Sequence, residues 1–300
     1  MQLDDLSKKY LDLLYKKKYS QIPDLQIQEA KARYSNNNFL IHKPNVTINV
    51  SYVDNVIVPL HVYFPKTKPI SSIILYFHGG GYVFRNFAQS GQICRQISED
   101  NGSCVVLVEY SLSPEFKYPH AIYEAIHIIE WIMHNELFTS QTSTTPIFII
   151  GESSGANLAI GALLNKQESR LNGIILICPS LDYCNEYQSK LDFKQGFLLD
   201  DNVRTWFAKQ YLNNESERND SFVSVLLSSN LHILPKTLII CSYFDPLRDE
   251  ANAFFDLLIK NGVSSELKTL QTIHGFLNFD IQPYAGLAYD YVSDFISHIV

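Results

Sequence analysis

Five short apolar runs dictate most of what this chain can fold into. They are SIILYF (72–77), CVVLVEY (104–110), PIFII (146–150), GIILIC (173–178) and TLIICSYF (237–244). Each has the length of a strand, and their near-continuous apolar character requires cover on both faces. That is the pattern of a buried, mostly parallel sheet. Stretches with helical character separate the runs, at about 87–100, 119–138, 154–166 and 249–261. Alternating strand and helix predicts right-handed crossovers in an α/β fold. Upstream, VTINVSYV (46–53) and VIVPLHVYF (56–64) are β-branched and flank Asp54–Asn55. They predict a hairpin that makes the sheet mixed.

Two regions fall outside this rhythm. Leu3, Leu6, Tyr10, Leu13 and Leu14 recur at helical spacing, so residues 3–18 read as an amphipathic helix. Residues 182–215 are polar and aromatic, close on DDNVRTWFAKQYLNN, and sit between two core strands as an insertion with a helix at its end. No repeat or low-complexity linker divides the chain, so 1–300 reads as a single domain with an appended cap.

The charge balance narrows the function classes. A net charge of −7 without a Lys/Arg stripe argues against nucleic acid as a partner. Lys16, Lys17 and Lys18 form the one basic run and read as a solvated helix end. No apolar run approaches the roughly 18 residues of a membrane span. The first 20 residues lack the apolar core of a secretory signal, so a cytoplasmic location is expected. The five cysteines, Cys94, Cys104, Cys178, Cys184 and Cys241, fit no metal-site spacing. They read as reduced residues, with Cys104, Cys178 and Cys241 as small apolar fillers in or beside strands.

Chemistry concentrates in GESSG (151–155), at the end of an apolar strand and the start of a helix. Strand, sharp turn and helix give G-x-S-x-G its meaning: Ser153 is exposed at the C-terminal edge of the sheet. Neither Ser154 nor Ser180 has the flanking glycines. A serine nucleophile needs a base, and the base needs an orienting acid. Among nine histidines, His127 and His134 fall within a helix, and His42 and His61 lie early. His274 follows the strand-like run SSELKTL (264–270), at the sheet edge where catalytic groups collect. Asp245 follows TLIICSYF directly, whereas Asp249 suits the N-cap of the next helix. The order Ser153, Asp245, His274 is that of an α/β-hydrolase. A fourth element is FHGGGYVF (77–84), after the first apolar run. Its glycines let backbone N–H groups approach a developing oxyanion, with the N–H of Ser154 completing the hole. The loop does not match a nucleotide-binding P-loop.

With these residues placed, the chain resembles the hormone-sensitive lipase family of α/β-hydrolase carboxylesterases. HGGGY (78–82), YSLSPEFKYPHA (110–121), GESSGANLA (151–159), WFAKQYL (206–212), DPLRDE (245–250) and HGF (274–276) carry the resemblance. It implies an eight-stranded, mostly parallel sheet flanked by helices. A helical cap would come from about 1–45 and the insertion 182–215. It implies hydrolysis of short- to medium-chain carboxylic esters, with Ser153 as nucleophile, His274 as base and Asp245 as acid. Gly79, Gly80, Gly81 and Ser154 would form the oxyanion hole, with Gly80 and Gly81 the foremost glycine donors. No metal or organic cofactor is implied, and the expected partner is a small ester met by a monomer or homodimer. The departures are Glu152 for Asp, Ser154 for Ala, Ala156 for Gly, Ser111 for Arg and Tyr243 for Gly. Ser111 implies the loss of a structural ion pair. Two alternatives stay open: amide hydrolysis or deacetylation by the same triad, and small-molecule binding without catalysis. Tyr10, Leu14, Phe197, Leu198, Trp206 and Phe207 either line an apolar pocket or seat the cap.

Overall fold

The computed structural model describes residues 2–17, 19–35, 44–51, 57–85, 87–134, 145–165 and 170–300. Strands β1 (Val46–Ser51), β2 (Ile57–Tyr63), β3 (Ser72–Phe77), β4 (Ser103–Val108), β5 (Ile147–Glu152), β6 (Leu171–Ile177), β7 (Thr237–Phe244) and β8 (Ser265–Ile273) form one sheet. Their spatial order is β1-β2-β4-β3-β5-β6-β7-β8. β1 and β2 pair antiparallel, β2 pairs antiparallel with β4, and every later pairing is parallel. The expected hairpin is therefore present, while its Asp54–Asn55 turn lies outside the described residues, as does His42. β3, β4 and β5 are buried along their whole length, as their two-sided apolar sequences require.

Helices cover both faces: α1 (Asp5–Lys16), α2 (Ile27–Ser35), α3 (Phe87–Asn101), α4 (His120–His134), α5 (Ser154–Asn165), α6 (Gln188–Asp192), α7 (Asp201–Tyr211), α8 (Arg248–Lys260) and α9 (Tyr284–Ser297). Among the described residues, no helix is long and apolar enough to cross a membrane. α5 is buried at nearly every position, because it lies between the sheet and α4. Two apolar clusters result, one on each side of the sheet.

The N-terminal segment meets the insertion and the end of β8. A 3-10 turn at Tyr19–Asp24 packs against α7. The Tyr15 hydroxyl donates to Asp200 Oδ1 (2.7 Å), and the hydroxyls of Ser7 and Thr272 hydrogen-bond at 3.2 Å. The sequence expectation of Asp249 as an N-cap is corrected. Leu247 holds the cap position of α8, and Asp249 falls in the first helical turn. There it accepts from Ser189 N–H (2.8 Å), joining the insertion to the sheet-side helix.

Candidate active site

Ser153 sits between the last residue of β5 and the first of α5, with φ of 52°. A side chain in the left-handed region is strained, and the surroundings hold it there. The Ser153 N–H donates to Ile177 O (2.9 Å), at the end of the neighbouring strand. A Cβ on Gly155 would lie 2.1 Å from Phe77 O, and one on Gly151 would lie 2.5 Å from the Cα of Ala156. The helix crosses too close to β3 and β5 for any side chain at either position.

Three strand ends converge on the serine. The Ser153 hydroxyl lies 3.1 Å from His274 Nε2, and His274 Nδ1 lies 2.7 Å from Asp245 Oδ2. The other carboxylate oxygen of Asp245 accepts from the Leu247 N–H (2.9 Å). A carboxylate facing Nδ1 places the ring proton there and leaves Nε2 to accept from the serine. Asp245 is wholly buried and His274 is 6% exposed, so solvent does not screen the pair. Burial drives the His274 pKa down. The charge of Asp245, its hydrogen bond and the charge of Glu152 outweigh burial, and the net shift is upward.

Glu152, one residue before the serine, is buried. Its carboxylate accepts from the Tyr76 hydroxyl (3.1 Å) and from the Asn278 side-chain amide, and it hydrogen-bonds the backbone of Gly79. Burial raises its pKa, against the opposing pull of His274 and these donors. No local sequence signal marks Asn278, because its partner stands 126 residues away.

Between β3 and α3, Gly80 and Gly81 have φ of 121° and 61°. A Cβ on Gly81 would fall 2.3 Å from the Phe207 ring, so the loop and α7 are in close contact. The Gly80 carbonyl accepts from the N–H groups of Val83 (3.1 Å) and Phe84 (2.9 Å), which rolls the loop towards the serine. His78 is pinned beneath it. Its Nδ1 lies 2.6 Å from Gly79 O, its ring stacks on Tyr110, and burial pushes its pKa down to about 4. It is therefore neutral at physiological pH.

The ion pair expected to be lost at Ser111 is replaced rather than missing. The Ser111 N–H and hydroxyl each donate to the buried Glu124 carboxylate at 2.7 Å, and His120 approaches it at 3.1 Å. Tyr243 lies under the Arg248 guanidinium, 4.9 Å from its ring centre. Asp249 is held by Arg248 and Ser189, and forms no part of the Ser153–His274–Asp245 chain. His61 pairs with Glu109 at 2.6 Å, away from the serine.

Two cavities open on Ser153. One is lined by Ile22, Phe84, Leu198, Val203, Phe207 and Phe279 beside the glycine loop and His274. The other is the more polar, with Ser180, Tyr183, Asn185, Thr205 and Arg204 among its lining. Of the aromatic and aliphatic residues expected in the cap, Leu198 and Phe207 line these cavities. Leu14 and Trp206 are buried in the core instead, and Tyr10 and Phe197 pack against it.

A hydroxyl, an imidazole and a carboxylate at the ends of β5, β8 and β7, on a sheet of this order, define a hydrolase of the α/β class. The α/β-hydrolase-fold family model matches residues 74–278, and the chain belongs to that family. An arylesterase of Saccharolobus solfataricus is 25% identical over 290 residues, covering 92% of this chain and 93% of that protein. The ethyl acetate hydrolase of Pseudomonas putida is 25% identical over 269 residues, covering 84% of each. Among solved structures, a hyperthermophilic esterase from Pyrobaculum calidifontis superposes with a TM-score of 0.88 at 25% identity, over 98% of this chain and 97% of that one.

Proposed function

We propose that this carboxylic ester hydrolase works by two-step acyl transfer through Ser153. His274 Nε2 takes the hydroxyl proton as Ser153 attacks the ester carbonyl. The same nitrogen then delivers that proton to the leaving alcohol. Water repeats the sequence on the acyl-enzyme. Asp245 holds the ring in the required tautomer and stabilises the imidazolium. The N–H groups of Gly80, Gly81 and Ser154 receive the oxyanion, each removal costing roughly 3 kcal/mol of transition-state stabilisation. Gly79 is the weakest of the expected donors, because its backbone is engaged with Glu152.

The observation that carries this reading is the continuous chain from Ser153 through His274 to Asp245, at 3.1 and 2.7 Å, facing an apolar cavity. An intact base argues against a binding protein without catalysis. The apolar cavity suits a small ester of short to medium acyl length, as the names of the arylesterase and ethyl acetate hydrolase relatives suggest.

The test is hydrolysis of p-nitrophenyl acetate, butyrate, octanoate and palmitate by the wild type and by Ser153→Ala. Turnover of the shorter esters should fall by at least about a thousandfold in the variant, with its circular dichroism spectrum unchanged. Equal rates in the two proteins would refute the assignment. Anilides of the same acyl groups separate esterase from amidase action.

A further inference from the structure

We infer that Cys178, Asp245 and His274 form a binding site for a thiophilic divalent cation of the zinc class, which shuts the hydrolase off. The Cys178 sulfur, an Asp245 oxygen and an imidazole nitrogen all lie within 4.8 Å of one another. This donor set of thiolate, carboxylate and imidazole is the one zinc selects. Zinc bonds of about 2.0–2.3 Å place ligands on a tetrahedral ion some 3.3–3.8 Å apart, so side-chain shifts of about 1 Å close the trio on a cation.

The thiol is held in place rather than loosely packed. Cys178 follows β6 with φ of 43°, and its N–H donates to Ile240 O (2.8 Å). Its sulfur lies 3.3 Å from the Ser242 hydroxyl, which itself donates to Ile273 O (2.9 Å). The Cys178 thiol therefore donates its proton to Ser242.

Binding the cation releases one proton, from Cys178, and moves another. The imidazole proton leaves Nδ1, which ligates the metal, and a proton occupies Nε2. Thiolate and carboxylate together offset the two charges of the ion, so the buried complex is neutral. The protonated Nε2 now faces Ser153 and has no lone pair to accept the hydroxyl proton. Inhibition follows from the tautomer, without any blockage of the cavities. The site rests on the geometry of the three ligands, while its effect on turnover rests on the mechanism proposed above.

The experiment uses a Cys184→Ser background, because Cys184 is the exposed thiol. Zn²⁺ should suppress hydrolysis of p-nitrophenyl butyrate, EDTA should restore it, and Mg²⁺ should have no effect. Inhibition is scored against each variant's own metal-free rate. With Cys178→Ala or Cys178→Ser, half-inhibition should require at least about tenfold more zinc. A readout independent of turnover is the ultraviolet thiolate-to-cadmium charge-transfer band in Ser153→Ala protein titrated with Cd²⁺. The band should appear with one equivalent and be lost when Cys178 is also replaced. Identical zinc curves with and without Cys178, or a cadmium band that survives its removal, would overturn the site. A Cys178-dependent band without loss of turnover would instead overturn the inhibition, and no hydrolysis by the metal-free protein would count against the mechanism alone.

Discussion

Glu152 shows how much a single buried carboxylate can set. It is surrounded by donors from Tyr76, Gly79 and Asn278, and its charge helps raise the pKa of His274. In the proposed mechanism His274 accepts a proton, so it works only when neutral. kcat/KM should therefore be lost as pH falls through the raised His274 pKa, and be fully present above it. That places the acid limb above the ordinary histidine value of about 6.5. Glu152→Gln removes one of the charges that favour the imidazolium, so the limb should move to lower pH. The amide also brings donors into a ring of donors, and stability should drop by about 1–3 kcal/mol. A pH profile of kcat/KM with a urea melt checks both; an unmoved acid limb would refute the electrostatic coupling. From the sequence, Glu152 was legible only as a charge-conserving replacement. Its partners are brought to it by β3 and by the loop after His274, and no local pattern announces them.

At the scale of elements, the turn at GESSG was the most legible feature, because its constraint is local. The glycines at 151 and 155 report a helix crossing over two strands, and that crossing is in place. The ends of the core strands were also close to expectation, though β5 runs on through Glu152 and β6 begins at Leu171. The roles of neighbouring aromatics in α7 were not legible. Trp206 and Phe207 are adjacent in α7, yet Trp206 is buried against Phe84 while Phe207 lines both cavities. The rotation of a helix about its axis depends on what it packs against, which the chain does not state locally. Phe207 is consequently the better probe of substrate size. Phe207→Ala should join the apolar and polar cavities and raise the octanoate-to-acetate ratio of kcat/KM by at least about tenfold, the scale of one methylene gaining cover. An unchanged ratio would mean that Phe207 seats α7 without shaping the substrate space.

Over the whole molecule, the parallel sheet could be read because two-sided burial leaves continuous apolar runs, whereas the docking of the N-terminal segment on the insertion could not. The N-terminal segment and the insertion share an apolar cluster, but the polar bonds that join them, such as Tyr15 to Asp200 across 185 residues, have no periodicity. Tyr15 carries one of them. Its hydroxyl donates to Asp200, whose same oxygen also accepts from the N–H of Gly196 (2.8 Å), and the Leu198 N–H approaches the hydroxyl at 3.4 Å. Burial first, and the hydrogen bond to Asp200 second, push the Tyr15 pKa well up, so the phenol stays protonated and donating across the usable pH range. Leu198 lines the apolar cavity, so this bond joins the N-terminal helix to the substrate wall. Tyr15→Phe removes the donor and leaves the ring. A hydrogen bond to a charged acceptor is worth about 1.5–3 kcal/mol. In a chain of this length that lowers Tm by roughly 2–5 °C. KM for butyrate esters should rise while kcat changes little, because the loosened wall contacts substrate and transition state alike. A thermal melt and a saturation curve measure the two effects together. A lowered Tm with unchanged KM would confine Tyr15 to stability, and an unchanged Tm would show that the N-terminal segment and the insertion dock without it.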